Sequence, residues 1–261
     1  MRTALTIAGS DSGAGAGIQA DLKTFAAHRV YGTTVITAVT AQNTLGVATW
    51  QALPADLVTA QIEAIAGDIG ADAVKVGMLG TAAIVEAVAA AIADMDLPHV
   101  VLDPVMIAKG GDRLLDRDAV DTLRLELLPR AHVVTPNVPE AEVLADMRIQ
   151  SIEEMRTAGK RILNHGPRVV LVKGGHLEGA ESIDVAVTRD ETFELRGPRL
   201  ATRSTHGTGC TLSSAIAANL ASGMDDRSAL TQAREYLEGA IRHAPDIGRG
   251  HGPLGHFWRL Y

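Results

Sequence analysis

Short apolar runs rich in β-branched residues recur along this chain, and helical patterns separate most of them. Each run is apolar at nearly every position, which is typical of strands that helices cover on both faces. The alternation of such strands with helices indicates parallel βαβ units. We therefore predict an α/β fold with a mostly parallel central sheet. The runs are Leu5–Ala8, Thr34–Thr40, Ala73–Val76, His99–Leu102, His132–Thr135 and Val169–Val172.

Two further segments, Thr44–Leu53 and Ser182–Leu195, predict antiparallel additions to this sheet, and the second turns near Arg189-Asp190. A period of about 3.6 residues predicts helices between the strands. The predicted helices are Gly17–Arg29, Ala55–Ala66, Ala82–Ala93, Asp118–Leu127, Val138–Leu144, Ile152–Leu163, Thr208–Ala221 and Arg227–Arg242.

Composition and charge narrow the class of protein. The 261 residues, 46% of them apolar, predict a single domain over 1–261 with a large buried core. The net charge of −7 and the scattered Lys and Arg residues give nucleic acid or anionic lipid no basic patch. The single cysteine, Cys210, excludes internal disulfides and suits a reducing compartment, so we expect a cytoplasmic protein. No apolar run is long enough for a transmembrane helix, and the N-terminal sequence lacks the pattern of a signal peptide.

Polar or Gly-rich residues follow directly after the predicted strands. In a parallel sheet the carboxyl ends of the strands meet at one edge, where open α/β folds bind their ligands. We therefore expect these residues to form one site. They are Gly9-Ser10-Asp11, Gln42-Asn43, Gly77-Met78, Asp103-Pro104, Pro136-Asn137 and Lys173-Gly174-Gly175-His176.

The segment from Thr205 to Thr211 carries the strongest local signal. Its glycines, Gly207 and Gly209, precede an apolar helix that begins near Thr208. A Gly-rich turn at a helix N-terminus offers unpaired N–H groups and the positive end of the helix dipole to a phosphoryl group. The alternative is a plain glycine turn with Thr208 as the N-cap, and the segment alone leaves both interpretations open.

Cys210 lies in the first turn of that helix, where a thiol pKa is usually lowered. A thiol in that position is suited to accept a proton from the hydroxyl group of an acceptor. The alternative is a buried, inert cysteine, which is common in proteins.

Asn137 and Glu140 predict a capping box at a helix start. The same two residues, with Asp103, also offer oxygen ligands to Mg²⁺, and both interpretations stay open.

Lys173 closes an apolar strand and is suited to contact phosphate as a point charge, unless it is simply solvated. The amide of Gln42 offers a paired donor and acceptor to the edge of a nitrogen heterocycle.

Two common nucleotide motifs are weak or absent. Gly15, Gly17 and Ala20 fit a G-x-G-x-x-A pattern, but no carboxylate lies within Val35–Gln42, where a ribose ligand is expected. A nicotinamide or flavin cofactor is therefore disfavoured. The sequence has no P-loop motif, so an ATP site in this chain must be built in another way.

Together these motifs resemble those of the hydroxymethylpyrimidine and phosphomethylpyrimidine kinases of thiamine biosynthesis, in the ribokinase-like superfamily. The resemblance runs from Leu5 to about Trp258. The matching motifs are Ala8–Asp11, Gly17–Phe25, Ala41–Thr44, Lys75–Leu79, Asp103–Met106, Thr135–Asn137 with Glu140-Ala141, Lys173–His176 and His206–Thr211.

The resemblance implies a three-layer α/β/α fold, MgATP as the donor, and two successive phosphorylations of a small pyrimidine; it also implies a homodimer and leaves room for a monovalent cation. It assigns Gly9, Asp21, Gln42, Met78 and Val105 to the pyrimidine pocket and Asp103, Asn137 and Glu140 to the Mg²⁺ region. Catalysis and ATP binding fall to Lys173, Thr205, Gly207, Thr208, Gly209 and Cys210. Most ribokinase-like kinases have Asp at the position of Cys210.

Two loops depart from the family pattern, at Ser12-Gly13-Ala14 and at Gly110 after Ala108-Lys109. Neither departure removes a proposed ligand-contacting side chain.

A pyridoxal kinase on the same scaffold stays the nearest alternative. A non-catalytic pyrimidine sensor is less favoured, because the proposed catalytic residues are intact. A Cys-His hydrolase is disfavoured further, since the sequence gives no sign of a third group that would orient His206 and Cys210.

Overall fold

A computed structural model describes residues 1–106, 117–175, 179 and 181–260 of the chain. Within these residues a single nine-stranded sheet has the order β3-β2-β1-β4-β5-β6-β7-β8-β9. Strands β2, β1, β4, β5, β6 and β7 are mutually parallel, and β3, β8 and β9 are antiparallel additions. The strands are β1 Thr3–Asp11, β2 Tyr31–Asn43, β3 Gly46–Ala52, β4 Ala73–Val76, β5 Val100–Leu102, β6 Val133–Val134, β7 Val169–Val172, β8 Glu181–Val187 and β9 Thr192–Pro198.

Helices cover both faces of the sheet. One apolar core lies between the sheet and α2 to α6, and a second lies between the sheet and α1, α7 and α8. The fold is thus a three-layer α/β/α arrangement, as predicted. None of the helices in the described ranges is long and apolar enough to cross a membrane. The helices are α1 Gly17–Ala27, α2 Ala55–Ala66, α3 Ala82–Asp94, α4 Arg117–Thr122, α5 Val138–Ala145, α6 Ile152–Leu163, α7 Thr208–Ala221 and α8 Asp226–Arg242.

The strand and helix predictions are confirmed, with shifts at several boundaries. The antiparallel pair β8–β9 turns between Val187 and Thr192, where the sequence predicted it. The predicted helix Asp118–Leu127 was wrong in one respect, because α4 ends at Thr122 and a π-helical turn continues to Leu127. In this arrangement Leu123, Leu127 and the next residue, Leu128, are all buried in the core.

Strand β1 runs three residues beyond the predicted end, to Asp11, through an irregularity between Ala8 and Ser10. The extension places Asp11 at the carboxyl edge of the sheet. The predicted polar strand ends lie at this edge as well, because β1, β2, β4, β5, β6 and β7 are parallel. The sheet topology therefore collects the candidate site residues on one side of the molecule.

The C-terminal segment packs against α7 and α8 through a buried histidine. His256 is 3% exposed, its Nε2 lies 3.1 Å from Thr211 Oγ1, and its carbonyl accepts a 2.6 Å hydrogen bond from the Tyr236 hydroxyl. Burial, with a smaller contribution from the positive charge of Lys23, lowers the pKa of His256 to about 4. The native state therefore holds this histidine neutral.

We predict that His256 makes the protein less stable as the pH falls from 6.5 to 4. An unfolded histidine has a pKa near 6.5, so in this window the unfolded chain binds a proton that the native state rejects. At pH 4.5 the loss is about 2 kcal/mol. Urea unfolding at pH 7 and pH 4.5 measures it. On going from pH 7 to pH 4.5 the unsubstituted chain should lose about 2 kcal/mol more stability than His256→Gln does, and His165→Gln should behave like the unsubstituted chain; the same pH dependence with and without His256 would contradict the assignment.

Candidate active site

The N-terminus of α7, from Gly207 to Cys210, is the candidate anion-binding site, and we call it the α7 mouth. Gly207 is its N-cap with φ 81° and ψ 11°, so the interpretation with Thr208 as N-cap was wrong. The first backbone bond of the helix runs from Thr211 N to Gly207 O, over 2.8 Å. Across the parts of the chain that the structure describes, the N–H groups of Gly209 and Cys210 meet no acceptor. Among the described residues both donors therefore lack a partner, as the binding of a ligand oxygen at a helix N-terminus requires.

The glycine at position 207 is required by the approach of a neighbouring loop. A methyl group on Gly207 would lie 1.8 Å from the carbonyl oxygen of Gly15. The positive φ is also one that side-chain-bearing residues rarely adopt. The two Gly-rich segments of the chain therefore meet backbone to backbone.

An ion pair faces the mouth from the sheet. Lys173 Nζ, after β7, donates a 2.9 Å hydrogen bond to Asp103 Oδ1, after β5. A methyl group on Gly209 would lie 3.0 Å from Asp103 Oδ2 and 3.3 Å from Lys173 Nζ. Burial lowers the pKa of Lys173, but the carboxylates of Asp103 and Glu140 outweigh it and raise the pKa overall. The lysine therefore stays a cation beside the free amides.

The predicted capping box at α5 is confirmed. Glu140 N donates to Asn137 Oδ1 over 2.9 Å, and Asn137 N donates to Glu140 Oε2 over 2.8 Å. Asn137 pairs with Lys173 through an isolated parallel bridge, so this helix start joins the same cleft. The Asn137 amide oxygen is occupied by the cap. Within the described residues Asp103 Oδ2 accepts no hydrogen bond, whereas the Glu140 carboxylate accepts from the backbone of both Asn137 and Met106.

The two carboxylates fit a hard cation. Burial raises the pKa of Glu140, and the charge of Asp103 raises it further, while Lys173 lowers it. A divalent cation would relieve this repulsion, and carboxylate oxygens are ligands that Mg²⁺ prefers. No group of three or more acidic, histidine or cysteine side chains shaped for a metal is found among residues 1–106, 117–175, 179 and 181–260. A cation here would therefore take its other ligands from phosphate and water.

Asp11 organises the Gly-rich loop before α1, a role that sequence reasoning missed. Its Oδ2 accepts from Gly15 N, Ala16 N and His206 Nε2 over 3.0, 2.9 and 2.7 Å, and its Oδ1 accepts from Gly13 N over 2.8 Å. Burial raises the pKa of Asp11, but these hydrogen bonds outweigh it and lower the pKa below its usual value. The loop thus wraps an internal carboxylate, which leaves those amides closed to a dinucleotide pyrophosphate.

The predicted heterocycle pocket lies beside this loop. Met78, Val105, Ala38 and Trp50 pack into a small apolar cluster, and a methyl group on Gly9 would lie 3.2 Å from Met78 Sδ. The amide of Gln42 lies at the end of β2, the strand that carries Ala38: its Oε1 accepts from Thr40 Oγ1 over 3.1 Å, and its Nε2 lies 3.4 Å from His206 Nε2. Gly9, Gln42, Met78 and Val105 are therefore brought together as predicted.

Asp21 lies beneath this pocket and does not line it. The side chain is 0% exposed, and its oxygens accept from Thr6 Oγ1, Lys75 Nζ and Ser214 Oγ over 2.6, 2.8 and 2.6 Å. Since every one of these partners is protein, Asp21 supports the site from below. The sequence motif identified the residue, whereas its partners come from three other elements.

The expectation that the helix start lowers the thiol pKa of Cys210 was wrong. Cys210 is half-buried, and this partial burial raises the pKa of its thiol to about 11. The positive charge of Lys75 and the N–H of Gly17 oppose the rise, but the carboxylates of Asp21 and Asp103 add to it. The resting group is therefore a thiol at neutral pH.

The remaining predicted residues border the same mouth. Thr208 N lies 3.5 Å from Thr205 O, and Thr205 Oγ1 lies 3.4 Å from His251 Nδ1. The helix mouth, the Lys173–Asp103 pair, Asn137 and Gln42 thus share one cleft. His176 and the segment Ala108-Lys109-Gly110 lie outside the described residues.

Comparison with known sequences identifies relatives over nearly the whole chain. A family model described as phosphomethylpyrimidine kinase matches residues 11–255. A hydroxymethylpyrimidine/phosphomethylpyrimidine kinase of Haemophilus influenzae is 48% identical over 261 residues, covering 98% of this chain and 97% of the relative. The thiamine biosynthesis bifunctional protein ThiED of Geobacter sulfurreducens is also 48% identical, and this chain spans 51% of its length.

Solved structures share the same fold. A pyridoxal kinase of Bacillus subtilis in complex with ADP superposes with a TM-score of 0.92 at 37% identity, covering 100% of both chains. A phosphomethylpyrimidine kinase of Clostridium difficile superposes with a TM-score of 0.83 at 42% identity, covering 92% of this chain and 100% of the other. Both kinds of kinase thus use this three-layer scaffold.

Proposed function

This chain belongs to the phosphomethylpyrimidine kinase family, and from that premise we propose that it phosphorylates 4-amino-5-hydroxymethyl-2-methylpyrimidine and then its monophosphate, in thiamine biosynthesis. The donor is ATP. The observation that carries the proposal is the α7 mouth, where the backbone of Gly209 approaches the Lys173–Asp103 pair and the N–H groups of Gly209 and Cys210 meet no acceptor among the described residues.

The donor phosphates are held by backbone and charge. Charge develops on the oxygens of the transferring phosphoryl group, and fixed N–H donors stabilise it without reorganisation. Gly209 and Cys210 supply such donors at the positive end of the α7 dipole. Lys173 adds a cation, with Asp103 fixing its position over 2.9 Å. Thr205, Gly207 and Thr208 shape the turn around the phosphates.

Asp103 and Glu140 are the residues that would hold Mg²⁺. When bound, it neutralises phosphate charge and fixes the geometry of transfer. The protein holds it through the two carboxylates, and Asn137 keeps Glu140 in place through the capping box. Lys173 Nζ donates to Asp103 Oδ1, so this lysine lies within reach of phosphate oxygens that approach the same carboxylate.

The acceptor lies over the apolar cluster of Met78 and Val105, with Gly9 leaving room for the ring. Gln42 hydrogen-bonds the edge of the heterocycle, because its amide pairs a donor with an acceptor. This arrangement points the acceptor oxygen at the α7 mouth. Cys210, in the first turn of α7, receives the proton of the CH₂OH group in the first transfer when it is in its thiolate form, which is the minor form at neutral pH.

Further properties follow from the same proposal. We place the enzyme in the cytoplasm as a single domain over 1–261 that acts on small molecules. We also propose a homodimer, in which the apolar side chains that β2 and the β2–β3 turn leave exposed are covered by the second copy. Val39 and Leu45 are 48% and 70% exposed.

Initial rates of ADP release with three acceptors test the function. The purified chain is assayed with MgATP and hydroxymethylpyrimidine, its monophosphate or pyridoxal. We expect turnover with both pyrimidines. Turnover with pyridoxal alone would instead make the chain a pyridoxal kinase, an alternative that the 0.92 TM-score to such an enzyme keeps relevant. Calorimetric binding of the pyrimidine with no ADP formed would indicate a non-catalytic sensor.

Glu140→Gln should raise the Mg²⁺ concentration required for half-maximal activity by about 10-fold or more, because it removes a charged oxygen from the metal region. The amide keeps an oxygen for the capping box. Glu154→Gln is the control, since Glu154 also accepts hydrogen bonds at a helix start, from Gln150 N and Ser151 Oγ, while its own N–H donates to Ser151 Oγ. Mg²⁺ titration of the ADP assay measures both variants. An unchanged Mg²⁺ requirement in Glu140→Gln would exclude Glu140 from the metal region.

A further inference from the structure

A buried polar cluster lies beneath Cys210. The carboxylate of Asp21 accepts hydrogen bonds from Lys75, Thr6 and Ser214 over 2.8, 2.6 and 2.6 Å. All four side chains are 0% exposed, and they belong to α1, β4, β1 and α7. A buried ion pair carries a desolvation cost that apolar side chains of similar volume avoid. Its position under the proposed proton acceptor therefore suggests a role in the reaction.

Two contacts link α1 to α7 at this point. The N–H of Gly17 donates to the Cys210 thiol, and Asp21, one turn along α1, accepts from Ser214, one turn along α7. The two contacts thus lie one helical turn apart along the α1–α7 interface. A helical turn rises about 5.4 Å, so the carboxylate lies about one turn below the sulfur.

Lys75 brings a positive charge to the same place. Its Nζ lies beside the backbone just before Met78 of the heterocycle pocket, because a methyl group on Gly77 would be only 2.6 Å from it. An ammonium group has three N–H donors, and within the described part of the chain only Asp21 accepts from this one. Lys75 therefore keeps uncommitted donors and a full charge below the site.

We propose that Lys75 is a positioning residue that supplies the counter-charge for the Cys210 thiolate, while Asp21 opposes that charge and holds α1 and α7 in register. The inference deepens the proposed function, because it concerns the group that accepts the proton in the first transfer. The charged groups around the thiol support it. Lys75 lowers the pKa of Cys210, whereas Asp21 and Asp103 raise it.

The rate of alkylation by iodoacetamide as a function of pH tests the proposal. Cys210 is the single cysteine of the chain, so the reaction reports its thiolate alone. Lys75→Met should slow alkylation at pH 8 by about 10-fold, and Asp21→Asn should accelerate it by a similar factor, because each change of about one pKa unit alters the thiolate population tenfold. A purely structural role predicts faster alkylation in both variants, since loosening either side exposes the sulfur.

Two controls keep the result interpretable. Thr6→Val removes a hydrogen bond to Asp21 without changing charge, and we expect it to leave the thiol pKa unaltered. The double variant D21N/K75M removes both charges together, which avoids an unpaired buried ion if a single variant fails to fold. Its alkylation rate should lie between those of the two single variants.

Changes of the same sign in Lys75→Met and Asp21→Asn, or a double variant outside the predicted interval, would overturn the proposal. Because alkylation needs neither ATP nor acceptor, this outcome is independent of the ADP assay. If the two variants change the alkylation rate in opposite directions but the unsubstituted chain has no kinase activity, the electrostatic role of Lys75 stands and the proposed function is rejected. If the unsubstituted chain is an active kinase but both variants change the alkylation rate in the same direction, the proposed function stands and the role of Lys75 is rejected.

Discussion

Gly207→Ala should reduce kcat by about 100-fold or more with both pyrimidine acceptors, the size of effect seen when one preorganised donor is lost from such a site. The added methyl group would lie 1.8 Å from Gly15 O, so either the loop around Asp11 or the start of α7 must move. Either movement shifts the free amides of Gly209 and Cys210 away from the phosphoryl group. Initial rates of ADP release at saturating MgATP measure the loss.

Gly223→Ala is the matched control for this effect. Gly223 follows the other end of α7 with φ 85°, and nothing lies within 4 Å of a methyl group there. Both substitutions carry the strain of a positive φ, about 1 to 3 kcal/mol, so both should lower the melting temperature by several degrees. Only Gly207→Ala should lose activity. Equal activity in the two variants would contradict the assignment of the mouth of α7 to phosphoryl transfer.

The fold and the location of the site could be predicted because they depend on local patterns. The apolar runs Ala73–Val76 and Val169–Val172 have the pattern expected of strands in a parallel sheet that helices cover on both faces. Their bounds agree with those of β4 and β7. The rule that parallel strand ends share an edge then places Gln42, Asn137 and Lys173 in one cleft. The family motifs assign roles to these residues, and the structure brings them together.

The errors concern interactions between distant parts of the chain. The thiol pKa of Cys210 was predicted from its helix position alone, but burial and the charges of Asp21 and Asp103 determine its direction. Asp21 was assigned to the pocket from its motif, whereas Lys75 and Ser214, 54 and 193 residues away, hold it beneath the floor. The role of Asp11 was missed for the same reason, because its partner His206 is 195 residues away.

Cys210→Ala should affect the two phosphoryl transfers to different extents. The first acceptor is an alcohol, whose proton must leave as the new bond to phosphorus forms. The second is a phosphate monoester with a second pKa of about 6, so it is already ionised at pH 8 and has little need of a base. General-base catalysis contributes about 100-fold to 10,000-fold. Cys210→Ala should therefore slow the first phosphorylation by about 100-fold or more and the second by less than about 10-fold, a loss left to altered packing.

Separate ADP-release assays on hydroxymethylpyrimidine and on its monophosphate measure the two effects in the same preparation. Because the pKa of Cys210 is raised to about 11, the first step in the unsubstituted enzyme should accelerate as the pH rises from 7 to 9, and this increase should disappear in Cys210→Ala. The second step supplies the internal control for folding and for ATP binding. Equal losses in the two steps would assign Cys210 to the architecture of the α7 mouth and leave the alcohol proton to pass to the phosphate itself.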